Sequence, residues 1–86
     1  MNLSDSVIDR IVELQKERKL NTYQLSLRSG IPRSTLSKLI SRKTRTIRLE
    51  NLLYLCEAFD IKLWQFFYDS RFDDVEAEDW RKENII

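Results

Sequence analysis

The sequence predicts an all-α domain, and three features carry that prediction. One glycine and one proline are too few for the turns of an all-β fold. Apolar residues make up 42% of the 86-residue chain, enough for one core but in too short a chain for two domains. Those apolar residues recur three and four apart, separated by short polar connections that carry helix-start chemistry.

The first helix is expected from Ser4 or Asp5 to Lys19. Its inward stripe is Val7, Ile8, Ile11, Leu14 and Val12; Asp5 and Asp9 suit its positive end, and Arg18 and Lys19 the other. The second begins after Asn21, which forms an N-x-x-Q capping box with Gln24, while Leu20 and Leu25 are spaced as a hydrophobic staple. It ends about eight residues on, at Gly30, where a left-handed conformation costs least. The third begins at Pro32 or Arg33, because proline is tolerated only near a helix start. Two short helices joined by a glycine-containing turn make a helix-turn-helix signature.

After Ile40 comes a basic loop, SRKTRTIR. A fourth helix covers about Leu49 to Asp60, with Leu49, Leu52, Leu53, Leu55, Cys56 and Phe59 mostly inward. A short fifth helix, KLWQFFY, sends Leu63 and Phe66 to the core. The remainder, Asp69 to Ile86, is acidic, and Phe72, Val75 and Trp80 form at most one loose helical face.

Composition excludes several functions. The lone Cys56 permits no internal disulfide and no cysteine-rich metal cluster; its place on an apolar stripe suits a packed small hydrophobe. Histidine is absent, which removes the commonest general base and transition-metal ligand. Asp73, Asp74 and Glu76 resemble a calcium loop in charge only, without its ligand spacing or its glycine. The expectation is therefore no metal, no cofactor and no enzyme. No leader-like run follows Met1 and no apolar stretch approaches membrane-spanning length, so a soluble, cytoplasmic protein is expected.

The net charge of +1 conceals an asymmetry. Residues 1–68 hold twelve Lys/Arg against seven Asp/Glu, whereas residues 69–86 hold three against seven. That division suggests a basic binding domain over 1–68 and an acidic tail over 69–86, the tail being a dimerisation or docking helix, a shield for the basic face or plain disorder.

The function is carried by SGIPRSTLSKLI, residues 29–40. At about 100° per residue, Leu36, Leu39 and Ile40 share one side of a helix, and Arg33, Ser34, Ser37 and Lys38 share the other. No acid stands anywhere between Ser29 and Leu49. Arginine can fork onto guanine O6 and N7, serine and lysine can donate to base edges, and a helix fits the major groove. Arg42, Lys43, Arg45 and Arg48 then offer phosphate contacts, joined by Thr22 at the start of the second helix and less surely by Thr44 and Thr46; Arg45 suits a surface charge better than a specific contact.

With those residues in place, the run from Ile11 to Phe67 resembles the phage-repressor/Cro-like (XRE-class) helix-turn-helix family. Its most specific part is NTYQLSLRSGIPRSTLSKL, in which Leu25, Gly30, Ile31 and Leu36 hold the motif's spacing. The resemblance implies a compact five-helix repressor-like fold whose third helix reads DNA. It puts Arg33, Ser34, Ser37 and Lys38 at base-reading positions, Thr22, Thr35 and Lys43 at phosphates, and Arg48 near the minor groove. Two residues depart from the family pattern: Pro32 stands where many members have a capping Ser or Thr, and Thr22 replaces a common glutamine.

One such module buries only about 600–1,000 Å² on DNA, and dimers on two half-sites are the usual remedy. A homodimer is expected, with Trp64, Phe67 and Tyr68 and the tail as its interface. The same aromatic face could instead meet Phe72 or Trp80 of its own chain. The expected function is a sequence-specific transcriptional regulator of duplex DNA, a repressor on a pseudo-palindromic operator. The alternative is an antitoxin or adaptor of the same fold that acts mainly through a protein partner.

Overall fold

The computed structural model describes residues 2–77. Among them are five α-helices: α1 (Leu3–Arg18), α2 (Thr22–Ser29), α3 (Arg33–Ile40), α4 (Leu49–Ala58) and α5 (Leu63–Phe67). A 3₁₀ turn, Ser70–Phe72, follows α5. No strand forms among the described residues, and no helix is long and apolar enough to cross a membrane.

The helix boundaries follow local hydrogen bonding. Asn2, rather than Ser4 or Asp5, caps α1: its Oδ1 accepts the Ser4 N–H at 2.8 Å. Asparagine is as good a cap as either, and starting there places Asp5 in the first turn, against the positive helix end. The capping box of α2 is complete, with the Gln24 N–H on Asn21 Oδ1 at 2.8 Å and the Asn21 N–H on Gln24 Oε1 at 3.0 Å. Gly30 closes α2 at φ 78°. The turn to α3 is further tied by Ser26, whose hydroxyl donates to the Ile31 carbonyl at 2.6 Å.

Three other helix ends are left-handed without glycine. Lys19, Arg42 and Asp60 have φ of 56°, 63° and 59°. Each belongs to a Schellman closure, in which the next residue's N–H reaches back five positions: Leu20 to Gln15, Lys43 to Lys38 and Ile61 to Cys56, all at 2.9–3.0 Å. An L-residue in this conformation costs roughly 1–2 kcal/mol. The carbonyls satisfied, and the apolar Leu20 and Ile61 turned onto the core, offset that cost.

The core is one cluster drawn from all five helices. Ile8, Ile11 and Leu14 of α1, Leu25 of α2, Leu36 and Leu39 of α3, Leu52, Leu55 and Cys56 of α4, and Phe66 of α5 are buried, together with Ile31 and Phe59 from the connections. Full burial of such side chains is worth about 1.5–3 kcal/mol each. Val12 packs on the margin. Three residues expected inward are not. Leu49 is 77% exposed, and Leu53 and Leu63 are also exposed. The inward stripe of α4 is Leu52, Leu55, Cys56 and Phe59; Leu49, in the first turn, reaches past it and lines a shallow apolar cleft with Leu3 and Phe67.

Residues 69–77 form no amphipathic helix. Arg71 bridges Asp69, at 2.8 Å, and Glu13 of α1, and Glu13 in turn takes Arg10 at 2.7 Å. Phe72 packs against Phe67 with ring centroids 5.0 Å apart. The chain then returns to the start of α1, where the Leu3 N–H donates to the Glu76 carbonyl at 2.7 Å. The acidic segment thus begins as part of the domain's own packing. Trp80, named above as a companion of Phe72, lies outside the described residues.

Candidate nucleic-acid interface

The interface is built by the packing of α3. Leu36 and Leu39 bury its back against the core, which turns Arg33, Ser34, Thr35, Ser37 and Lys38 to the solvent. Arg33 and Ser34 occupy the first turn, with Ser37 and Lys38 one turn later, so four polar side chains share a face about 7.5 Å long. Pro32 contributes no side-chain cap, leaving the first N–H groups of α3 without a side-chain partner.

The basic side chains divide into two groups. Among the described residues, the side chains of Lys38 and Lys43 make no hydrogen bond or ion pair, and Arg33 makes none beyond a contact with an aromatic ring. Arg42, an expected phosphate contact, is fastened to α1 in the free chain: its Nε donates to Asp5 Oδ1 at 2.9 Å and its Nη2 to Asp9. Arg45 joins the same cluster, 3.1 Å from Asp5 Oδ2. The cause is the left-handed backbone of Arg42, which turns the loop back beside the first turns of α1. Asp5 is held below the usual carboxylate range, chiefly by its hydrogen bond from Arg42, against the opposing effect of desolvation. Arg42 is pushed up in turn, first by Asp5 and then by Asp9.

Arg48 is exposed at the N-cap of α4, with a long 3.4 Å contact to Glu50. Thr35 of α3 lines a largely apolar cleft with Leu36, Leu39, Thr44, Thr46, Ile47, Arg48 and Asn51. Thr22 is half-buried at the first position of α2. Trp64 of α5 (62% exposed) and Tyr68 at its C-cap (80%) stack edge to face at 6.0 Å. Phe67 has its inner side against Phe66 and Phe72.

One residue of this surface was missed from sequence. Tyr23, in the first turn of α2, lies 5.7 Å by ring centroid from the Arg33 guanidinium. The available signal was an aromatic residue on α2 off its buried stripe, where only Leu25 is fully buried. Cys56 is buried, and burial pushes its thiol up, which keeps it protonated and unreactive. Among the described residues no group of three His, Cys, Asp or Glu side chains is placed to hold a metal ion.

A helix-turn-helix whose second helix is anchored by leucines and faces outward with acid-free donors defines a DNA-binding protein. The chain belongs to the Cro/C1-type helix-turn-helix DNA-binding domain family, whose model matches residues 3–69. That family is defined by binding DNA, not by a reaction. No match to the chain is found among the curated proteins or among the solved structures.

Proposed function

We propose that the protein is a sequence-specific, cytoplasmic transcriptional repressor that binds a pseudo-palindromic operator as a homodimer. The observation that carries this reading is the outward face of α3, where Arg33, Ser34, Ser37 and Lys38 are exposed together. Arg33 reads a guanine, Lys38 reads the next turn's base edge or phosphate, and the two serines adjust to neighbouring bases. Thr22, Thr35, Lys43 and Arg48 fix the register on phosphates and at the minor-groove edge. Arg42 acts at one remove, by holding the loop that presents Lys43. Trp64, Tyr68 and the outer side of Phe67 supply the contact between subunits, since large aromatics left at the surface favour an interface. Residues 1–68 form the binding domain, and residues 69–86 are its acidic tail.

The test is selection of bound sites from a random duplex library, with the wild type and Arg33→Ala in parallel. The expected result is a two-fold symmetric site with half-sites about one helical turn apart, and loss of one base preference in the variant. Failure to enrich any site at low salt, together with a stable heterocomplex on pull-down, would replace this reading with the antitoxin or adaptor one.

A further inference from the structure

Among the described residues, the Arg33 side chain has one polar or ring partner, and it is not an acid. Its Cζ lies 5.7 Å from the centroid of the Tyr23 ring, across the turn that joins α2 to α3. The guanidinium makes no hydrogen bond or ion pair among the described residues. We propose that Tyr23 is a specificity-determining positioning residue, whose ring holds Arg33 in the pose that reads its base. This rests on the assignment of Arg33 to base readout.

The argument begins with what an anchor does to the group it holds. Arg42 and Arg45 are anchored by Asp5 and Asp9, which take up the Nε and an Nη2 donor of Arg42 and an Nη2 donor of Arg45 and offset their charge. An arginine held that way has fewer donors and less net charge to offer DNA. An aromatic face attracts a cation through the ring quadrupole without accepting its in-plane hydrogen bonds. Arg33 therefore keeps its full charge and all its donors while its long side chain loses freedom. The fork that must meet guanine O6 and N7 is thus oriented before binding, and the ordering cost at the interface falls.

Nothing in the fold otherwise asks for a tyrosine at this position. Tyr23 is 52% exposed, while α2 fills the core through Leu25. The Tyr23 hydroxyl makes no hydrogen bond among the described residues. A flexible exposed side chain at α3's first turn would also lack a local anchor, because Pro32 provides no cap and no acid lies between Ser29 and Leu49.

The experiment compares Tyr23→Leu, Tyr23→Phe and Arg33→Ala, and adds Tyr23→Leu to the Arg33→Ala background. All are measured on the selected site and on single base-pair changes within it. Arg33→Ala first identifies the base pair that Arg33 reads. Tyr23→Leu is expected to reduce discrimination at that base pair alone, by roughly two- to fivefold. Tyr23→Phe is expected to retain it, and Tyr23→Leu to have no further effect on it in the Arg33→Ala background. In the free protein, the Arg33 δ-methylene protons should show an upfield ring-current shift that Tyr23→Leu abolishes. Unchanged discrimination in Tyr23→Leu, or an equal loss at every base pair, would overturn the proposal, as would a missing ring-current shift. If Arg33→Ala leaves every preference intact, the base-reading assignment itself fails and the role of Tyr23 falls with it. Circular dichroism separates either result from misfolding.

Discussion

Arg42 and Asp5 are 37 positions apart in sequence, yet Arg42 Nε meets Asp5 Oδ1 at 2.9 Å and so joins the loop after α3 to the first turn of α1. The pair changes how the basic loop is divided. Arg42 and Arg45 hold the loop against α1, and Lys43 between them is exposed. Asp5→Asn is expected to lower Tm by a few degrees, and Arg42→Ala to do the same. The double variant should lose less than the two single losses combined, because both remove one interaction. Calorimetry on the four proteins checks this; strict additivity would mean that the pair contributes nothing.

Lys43→Ala should behave differently. Lys43 has no ion pair among the described residues, and the proposed function gives it a phosphate contact. Its removal should weaken all duplex sequences alike and reduce the slope of log K against log salt by about 1. Fluorescence anisotropy at several salt concentrations measures both. A loss confined to the selected site would reassign Lys43 to base readout.

Acid should destabilise the fold through a small set of carboxylates. Glu13 is held below its usual range, first by the hydrogen bond from Arg71, and Asp69 is lowered by the Arg71 side chain and then by its backbone N–H. Asp5 is lowered by Arg42. A carboxyl whose folded pKa lies below its unfolded value stabilises fully above the ordinary carboxylate range, about pH 4, and that contribution fades as pH falls through the folded value. Tm should therefore stay nearly level from pH 7 to about pH 5 and fall below about pH 4. Glu13→Gln should start lower and lose less over the same interval. Thermal melts in a pH series decide it, and parallel curves for the two proteins would remove Glu13 from the account.

Ser6 offers a test of the core itself. It is fully buried, and its hydroxyl has no hydrogen-bond partner among the described residues. A buried unsatisfied hydroxyl costs on the order of 1–3 kcal/mol, and alanine is also the better helix former. Ser6→Ala is expected to stabilise the protein by about 1 kcal/mol in urea unfolding. A loss of stability would mean that the hydroxyl is satisfied in solution.

How much of this was legible beforehand depends on how far each interaction reaches along the chain. The capping box of Asn21 and Gln24, the glycine end at Gly30 and the proline start of α3 all involve partners within about four residues, so the motif and its outward face followed directly from sequence. The left-handed ends at Lys19, Arg42 and Asp60 were hidden because glycine was the only available marker of that conformation. There, the carbonyls to be satisfied and the apolar residue that follows decide the backbone.

The sequence by itself therefore determined five helices, the main inward stripes and the donor face of α3, because helical periodicity and capping are local. Only the tertiary structure decided what each charged side chain does. It fastened Arg42 to α1, set Arg33 over Tyr23, exposed Leu49 and folded residues 69–76 back along α1. Those outcomes depend on which helices pack together. A formal charge in the sequence does not record whether an acid, an aromatic ring or solvent will face it.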